Sequence, residues 1–430
     1  MKSFIVEGGN RTPIGGKITV SGNKNAVLPM IAAALLTDEK ITLHNVPHII
    51  DVDIMLKIAQ SLGMEVSFSG NTLTMKTSAI KSSEISREYS TKVRTSLLFA
   101  GPLVSRTGQA SLWPPGGDVI GRRRLDGHFY GLQTMGATIE AEEKPFCFRA
   151  KKRLTGKDLF LDEASVTTTE HIMITAVLAE GKTYIRNAAS EPHVCDLGEL
   201  LIKMGAKISG LGTNTIVIDG VEKLEGAEHT VQGDHIEAAS FLSLAAATGG
   251  ELTINGISTR NFWMTRRVFE RFGVKFEMYP EEGRIFMPGG QTMEIEPDFG
   301  NAIPVISDNT WPQYPSDMMS CTITMATQAK GTVMFFEKMF ESRIYFVDKL
   351  INMGASAIIC DPHRAVITGP TLLRGADLSS PDIRSGMALL IAAFCAKGKS
   401  TINNVEVIER GYENLENKLL SLGSKVTTVK

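Results

Sequence analysis

Residues 114–128 read PPGGDVIGRRRLDGH, a carboxylate (Asp118) set among Gly116, Gly117 and Gly121 and followed by three consecutive arginines. Glycine on both sides of an acid suits a loop that closes over a ligand; a surface loop with solvated arginines is the alternative. Further cations stand at the start of helix-like segments: Lys24 in SGNKNAVLPM, Arg94 in TKVRTSLLFAG and Arg384 in SPDIRSGMALL. A cation there opposes the helix dipole, so it is either solvated or salt-bridged, or shares a bound anion with the free N–H groups of the helix. Three such positions together favour an anionic ligand. Asp317 in WPQYPSDMMS stands at another helix start, as an ordinary capping or first-turn acid or, among cations, as a general base. Arg343 in FESRIYFV and Arg410 in IERGYENL sit among apolar and aromatic neighbours. They need partners, either carboxylates such as Glu341 and Glu409 or a substrate.

Other chemistries find no support. IGGKITV and KGKST lack the first glycine of a nucleotide-binding GxxxxGK[ST] loop, and no GxGxxG follows a strand. EPHV and DPHR isolate single histidines without a second metal ligand, and histidines of that kind are mostly structural. The five cysteines are scattered without CxxC spacing, so they are expected to be reduced, buried small hydrophobes.

The elements that position these residues follow from length and repetition. A chain of 430 residues exceeds what one hydrophobic core usually supports, so two domains are expected. A formal net charge of −2 lacks the basic surplus of a nucleic-acid binder, and any anion site must be local. The start MKSFIVEGG lacks a secretory pattern, and the longest apolar run, residues 387–396, is about half the roughly 20 residues that span a bilayer. A cytoplasmic protein with no membrane contact is expected.

One phrase recurs six times: an apolar helix, a short G-x-[ST]-x-[IV] strand, a second amphipathic helix, then a glycine and another strand. IAAALLTDEKITLHNV and IMLKIAQSLGMEV match ITAVLAEGKTYIRNA and LGELLIKMGAKI, and LIAAFCAKGKSTINNV and LENKLLSLGSKV. The glycines are Gly63, Gly136, Gly205, Gly273, Gly354 and Gly423, each suited to the left-handed residue that ends a helix. Units of about seventy residues are mixed α/β modules too long for ankyrin or tetratricopeptide repeats. Six modules in two domains suggest three and three, with a break near residues 231–234. Two strand-like segments in the first twenty residues could join either half.

The motifs SGNKNAVLPMIAAALL, PPGGDVIG, SVTTTEHIMITAVLAEGKTYIRNAASEPHVCDL, YPSDMM, FESR and IERGYENLENKL occur in that order across all six repeats. They resemble the UDP-N-acetylglucosamine enolpyruvyl transferase family. The resemblance implies a two-domain inside-out α/β barrel, three units per domain, with the active site in the cleft between the domains. It assigns residues 1–21 and 233–430 to a discontinuous domain and 22–232 to an inserted domain carrying the catalytic loop. The implied reaction moves the enolpyruvyl group of phosphoenolpyruvate to the 3-hydroxyl of UDP-N-acetylglucosamine and releases phosphate, through a tetrahedral intermediate and without metal or cofactor. Those two small molecules are the partners it implies.

Position by position, Lys24 and Asn25 match the family's phosphoenolpyruvate-contacting pair, and Arg123 and Arg410 match cations at the phosphate and the intermediate. Arg94 matches the arginine at the sugar nucleotide. Arg123, Arg124, Leu125, Asp126 and Gly127 sit where the family's loop touches UDP, with Ser165 and Val166 beside the diphosphate. Arg343 and Arg384 match basic residues near the pyruvyl carboxylate. Asp317 matches the carboxylate that holds and deprotonates the sugar hydroxyl, with Met339 lining the same site. Two positions depart from the pattern. Asp118 replaces the usual cysteine that protonates the methylene carbon; an Asp serves if its pKa rises above about 3.9 in the closed loop, although nearby arginines push the other way. Activity is expected to persist while fosfomycin, which alkylates the thiol, is expected not to inactivate. Glu163 stands where many relatives carry a basic residue beside the diphosphate, which points to weaker UDP affinity or a rearranged loop.

The sister enzyme acting on shikimate 3-phosphate is disfavoured because its GNAGTA-like signature is missing. Enolpyruvyl transfer to another uridine nucleotide and a non-catalytic nucleotide-sugar-binding paralogue are the remaining alternatives.

Overall fold

The computed structural model of the chain describes residues 2–9, 12–117, 121 and 123–429. They gather into two compact units, one formed by the chain up to Ser21 and from Gly233 onward, the other by Gly22–Gly117 and Arg123–Gln232.

Each unit has three interior helices. In the second unit these are α1 (Lys24–Ala33), α2 (Ala100–Thr107) and α3 (Val166–Ala176); in the first they are α4 (His235–Thr248), α5 (Ser316–Ala326) and α6 (Ile383–Cys395). α4 and α6 are buried at every residue, as a helix apolar on all sides must be. The apolar run 387–396 is thus the interior of one unit, and among the described residues no helix is long and apolar enough to cross a membrane. The second helix of each repeat is one-sided: Ile50–Ser61 buries Val52, Met55, Ile58 and Ala59 and exposes Asp53, Lys57 and Gln60.

Three four-stranded sheets belong to each unit. One of them illustrates the common plan: Asp158–Phe160 runs parallel to Lys182–Arg186, which pairs antiparallel with Thr215–Asp219, which pairs antiparallel with Lys207–Ser209. Strands such as Thr215–Asp219 alternate buried and more exposed residues, the signature of a sheet with one face on a core and one towards water. Helices inside and sheets outside make the inside-out α/β arrangement. All six repeat glycines take positive φ, from 73° to 112°, a region closed to most side chains.

The two N-terminal strands both complete sheets of the first unit. Ser3–Gly9 lies antiparallel between Lys397–Asn403 and Val426–Val429, and Gly16–Thr19 pairs parallel with Leu252–Asn255. The cysteines need a correction: Cys321 and Cys395 are buried, but Cys147 and Cys195 are half-buried and Cys360 is exposed. Cys360 lies on Ser356–Asp361, a strand at a sheet edge with little to cover it.

Candidate functional site

In the unit containing residues 22–117, Lys24 is the first residue of α1, and Asn23 caps the helix by accepting from the Asn25 N–H at 2.9 Å. The Lys24 side chain is buried against the dipole, and its compensation is internal: Nζ lies 2.8 Å from Oδ2 of Asp51, itself buried in the first turn of Ile50–Ser61. Sequence reading missed Asp51, whose pairing spans two repeat elements and leaves no local signal. Arg94 opens a 3₁₀ turn, Arg94–Phe99, that runs into α2, rather than the α-helix expected. Its Nη2 donates to the Arg124 carbonyl at 2.6 Å. Burial and the neighbouring Arg123 charge pull the Arg94 guanidinium down to about 10, while Glu163 opposes the shift. Glu163 therefore offsets part of a cationic cluster.

The segment 123–127 and Ser165, both of which the resemblance puts at the nucleotide, meet. Arg124, Asp126 and Gly127 face Asp162, Glu163, Ser165 and Thr168 across a small cleft. A Cβ on Gly127 would sit 3.0 Å from Thr168 Cγ2, so glycine permits this approach. Arg124 Nε donates to Asp126 Oδ2 at 2.9 Å, Leu125 is the residue before the helix Asp126–Thr134, and Val166 begins α3 behind its cap Ser165. Of the proposed hinge, Gly117 (φ 115°) and Gly121 (φ 132°) occupy conformations that favour glycine. Gly116 is anchored instead, donating to the Ser90 carbonyl, with a Cβ position only 1.7 Å from Thr91 O. Asp118 lies outside the described residues.

In the other unit, Asp317 occupies the first turn of α5. Its Oδ1 accepts from Arg343 Nη1 at 2.9 Å, and its Oδ2 accepts from Arg384 Nε and Nη2 at 3.2 and 3.0 Å. Both guanidiniums are 5% exposed, whereas the carboxylate keeps 29% of its side-chain surface. Burial pushes the Asp317 carboxyl up, but the Arg384 and Arg343 charges outweigh it and hold the group well below the usual carboxylate range. Arg384 can turn its side chain to Asp317 because Asp382 caps α6, accepting from the Arg384 and Ser385 N–H groups at 2.9 Å. Arg343 Nη1 also donates to Ser316 Oγ at 2.8 Å, and that hydroxyl donates to Glu337 Oε1 at 2.7 Å.

The partners differ from those expected. Arg343 is paired with Asp317 rather than Glu341, because the carboxylate comes from another helix; Glu409 is paired with Lys2. Arg410 is half-buried just after the short helix Val405–Ile408. Next to it, Gly411 packs so closely that a Cβ would lie 2.5 Å from Ile383 and 3.8 Å from Arg384 Nη1. Met339 is 37% exposed, in the turn between the strand Gly331–Phe336 and Arg343. Arg343 Nε and Arg384 Nη1 are buried with no acceptor among the described residues. Two such donors on permanently charged groups are suited to an anion.

Comparison with known proteins identifies the family. The family model described as EPSP synthase (3-phosphoshikimate 1-carboxyvinyltransferase) matches residues 9–419. The chain is 51% identical over 430 residues to the UDP-N-acetylglucosamine 1-carboxyvinyltransferase of Borreliella burgdorferi, covering all of both chains. It is 50% identical over 427 residues to the protein of the same name from Treponema denticola, covering 99% of each. Among solved structures, the enolpyruvyl transferase NikO from Streptomyces tendae is similar with a TM-score of 0.88 at 22% identity, over 100% of this chain and 99% of that one. EPSP synthase from Acinetobacter baumannii follows with a TM-score of 0.76 at 18% identity over the whole of both chains, a likeness of fold. With helices inside, three sheets to each unit and full-length identity of this order, the chain belongs to the UDP-N-acetylglucosamine 1-carboxyvinyltransferase family.

Proposed function

We propose that the protein transfers the enolpyruvyl group of phosphoenolpyruvate to the 3-hydroxyl of UDP-N-acetylglucosamine with release of phosphate, the first committed step of peptidoglycan precursor synthesis. On this reading it works in the cytoplasm on two small-molecule substrates. The observation that carries it is the Asp317–Arg343–Arg384 cluster, a carboxylate held by two buried guanidiniums that keep unused donors.

The sugar oxygen attacks C2 of phosphoenolpyruvate, its proton passes to Asp317, and the methylene carbon gains a proton from Asp118, giving a tetrahedral ketal. Return of a proton from that methyl carbon to Asp118, and departure of phosphate from C2 with the proton held on Asp317, restore the double bond and both carboxyl groups. A carboxylate this acidic is a poor base, since general bases work best near the operating pH. The substrate supplies the remedy: its carboxylate competes for Arg343 and Arg384, and as they turn to it the Asp317 oxygens lose hydrogen bonds and regain proton affinity. Lys24, Arg123 and Arg410 serve the phosphate, while Arg94, residues 123–127, Ser165 and Val166 hold the nucleotide. Phosphate release from phosphoenolpyruvate, measured with UDP-N-acetylglucosamine, UMP and shikimate 3-phosphate in turn, tests this. Release with UDP-N-acetylglucosamine alone is expected; release only with another acceptor, or with none, defeats the reading.

A further inference from the structure

Thr167, the second residue of α3, is backed by two buried histidines that no proposed catalytic step uses. The Gly101 backbone N–H donates to His171 Nε2 at 3.0 Å. His171 Nδ1 lies 3.1 Å from His128 Nδ1, and His128 Nε2 lies 3.2 Å from Thr167 Oγ1. An amide nitrogen only donates, so His171 Nε2 is the acceptor and the single proton of that neutral ring is on Nδ1. It points at His128 Nδ1, which must accept, leaving the His128 proton on Nε2 to be donated to Thr167 Oγ1. Three bonds thus run in one direction, from α2 through both rings to the threonine.

The arrangement has no room for a further proton. A second proton on His171 would set N–H against the Gly101 N–H, and one on His128 would set it against His171 Nδ1–H. Burial depresses both imidazoles, His171 to about 3, and for His128 the neighbouring charges of Arg94 and Arg123 act in the same sense. Gly101 is part of the device, because a Cβ there would lie 2.2 Å from Thr175 Oγ1 and 3.2 Å from His171 Nε2.

Thr169 and Thr175 turn their hydroxyls back on their own helix, donating to Ser165 O and His171 O at 2.9 and 2.7 Å. Thr167 is placed differently. The carbonyl four residues before it belongs to Glu163, ahead of the helix, and its oxygen receives the imidazole N–H, which directs its own hydrogen away from His128. The first-turn N–H groups of a helix lie outside the helical ladder beside it.

We propose that His171 and His128 are positioning residues that present the Thr167 hydroxyl as a donor to the diphosphate of the nucleotide sugar. This rests on the proposed function for the identity of the nucleotide, and the probe that tests it is UDP itself. Calorimetric titration of UDP into the full-length protein should show a Kd about tenfold weaker for Thr167→Val, as expected for losing a hydrogen bond to a charged group. His171→Leu should weaken it similarly, the double variant Thr167→Val/His171→Leu no further, and His171→Asn, which keeps a donor near the Nδ1 position, less. Imidazole ¹⁵N NMR of the wild-type protein should find the proton on Nδ1 of His171 and on Nε2 of His128, unchanged between pH 6 and 8. In turnover, the Thr167→Val loss should fall on KM for UDP-N-acetylglucosamine rather than on kcat. Unchanged UDP affinity in Thr167→Val, no UDP binding by the wild type, or His171 carrying its proton on Nε2 overturns the proposal. UDP binding that responds as stated without any enolpyruvyl transfer would sustain the relay and remove the proposed function.

Discussion

Arg384 holds Asp317 through two nitrogens, Nε and Nη2, 3.2 and 3.0 Å from the same carboxylate oxygen. If Asp317 is the base of the proposed reaction, this grip must loosen when the substrate binds. Asp317→Asn should lower phosphate release by at least about 100-fold, the usual scale of general-base loss. It should cost about 3 kcal/mol of stability, because it leaves the buried Arg343 and Arg384 without their carboxylate. Steady-state rates and urea unfolding check both; a variant within threefold of wild-type kcat removes Asp317 as the base.

The same pair gives a pH signature. The folded carboxyl is more acidic than its unfolded value of about 3.9, so its stabilisation is complete above that value and disappears as pH falls towards the folded one. The stability gap between wild type and Asp317→Asn should therefore be constant from pH 6 to 8 and shrink below pH 4, read from denaturation midpoints. A gap that widens on acidification contradicts the pairing.

Glu337 has the opposite sign. Burial, with the nearby Asp308 adding to it, pushes its carboxyl well above the usual range. Glu337 Oε2 and Asp308 Oδ2 are both buried, and a proton on Glu337 lets the two carboxyls hydrogen-bond to each other. A proton held on Glu337 in the fold but lost from the unfolded chain above about 4.3 makes stability fall as pH rises from there towards the raised value. Glu337→Gln should flatten that decline; melting temperatures from pH 5 to 9 measure it, and parallel curves would reject it.

Lys24 and Asp51 separate structure from chemistry. Lys24→Met leaves a buried carboxylate without its cation and should cost about 3 kcal/mol, while Lys24→Met/Asp51→Asn should regain most of it. Neither should recover phosphate release if Lys24 binds phosphoenolpyruvate. An active double variant would reduce Lys24 to a structural ion.

Two predictions concern the departures from the family pattern. Intact mass and activity should be unchanged by prolonged incubation with fosfomycin, since Asp118 offers no thiol, and a covalent adduct at that residue refutes this. Glu163→Gln should lower KM for UDP-N-acetylglucosamine about threefold by removing one charge from the mouth of the cleft, an effect that fades with added salt.

The repeats were legible because their determinants are local. The six glycines, the apolar helices and the alternating strands each depend on residues within one or two turns, so periodicity and left-handed backbone positions identify them. Lys24, Arg384 and Asp317 were recognisable by the same logic, as charges at helix starts. What they touch was not. Asp317 meets arginines 26 and 67 residues further on, and Asp51 reaches Lys24 from a different helix. Nothing in the sequence singled out His128 and His171, whose Nδ1 atoms meet only because two helices bring them together. Residue pattern alone left the first strands open, and only the family resemblance put them with residues 233–430, because strand pairing is a contact between distant segments: Ser3–Gly9 finds its neighbours at the far end of the chain. Sequence by itself determined which elements form and where charge stands on them, since backbone preference and amphipathic spacing act over a few residues. Tertiary structure decided which charges face one another, and so which are paired, neutral or left with donors for a substrate, because desolvation and Coulomb energy depend on neighbours that only folding supplies.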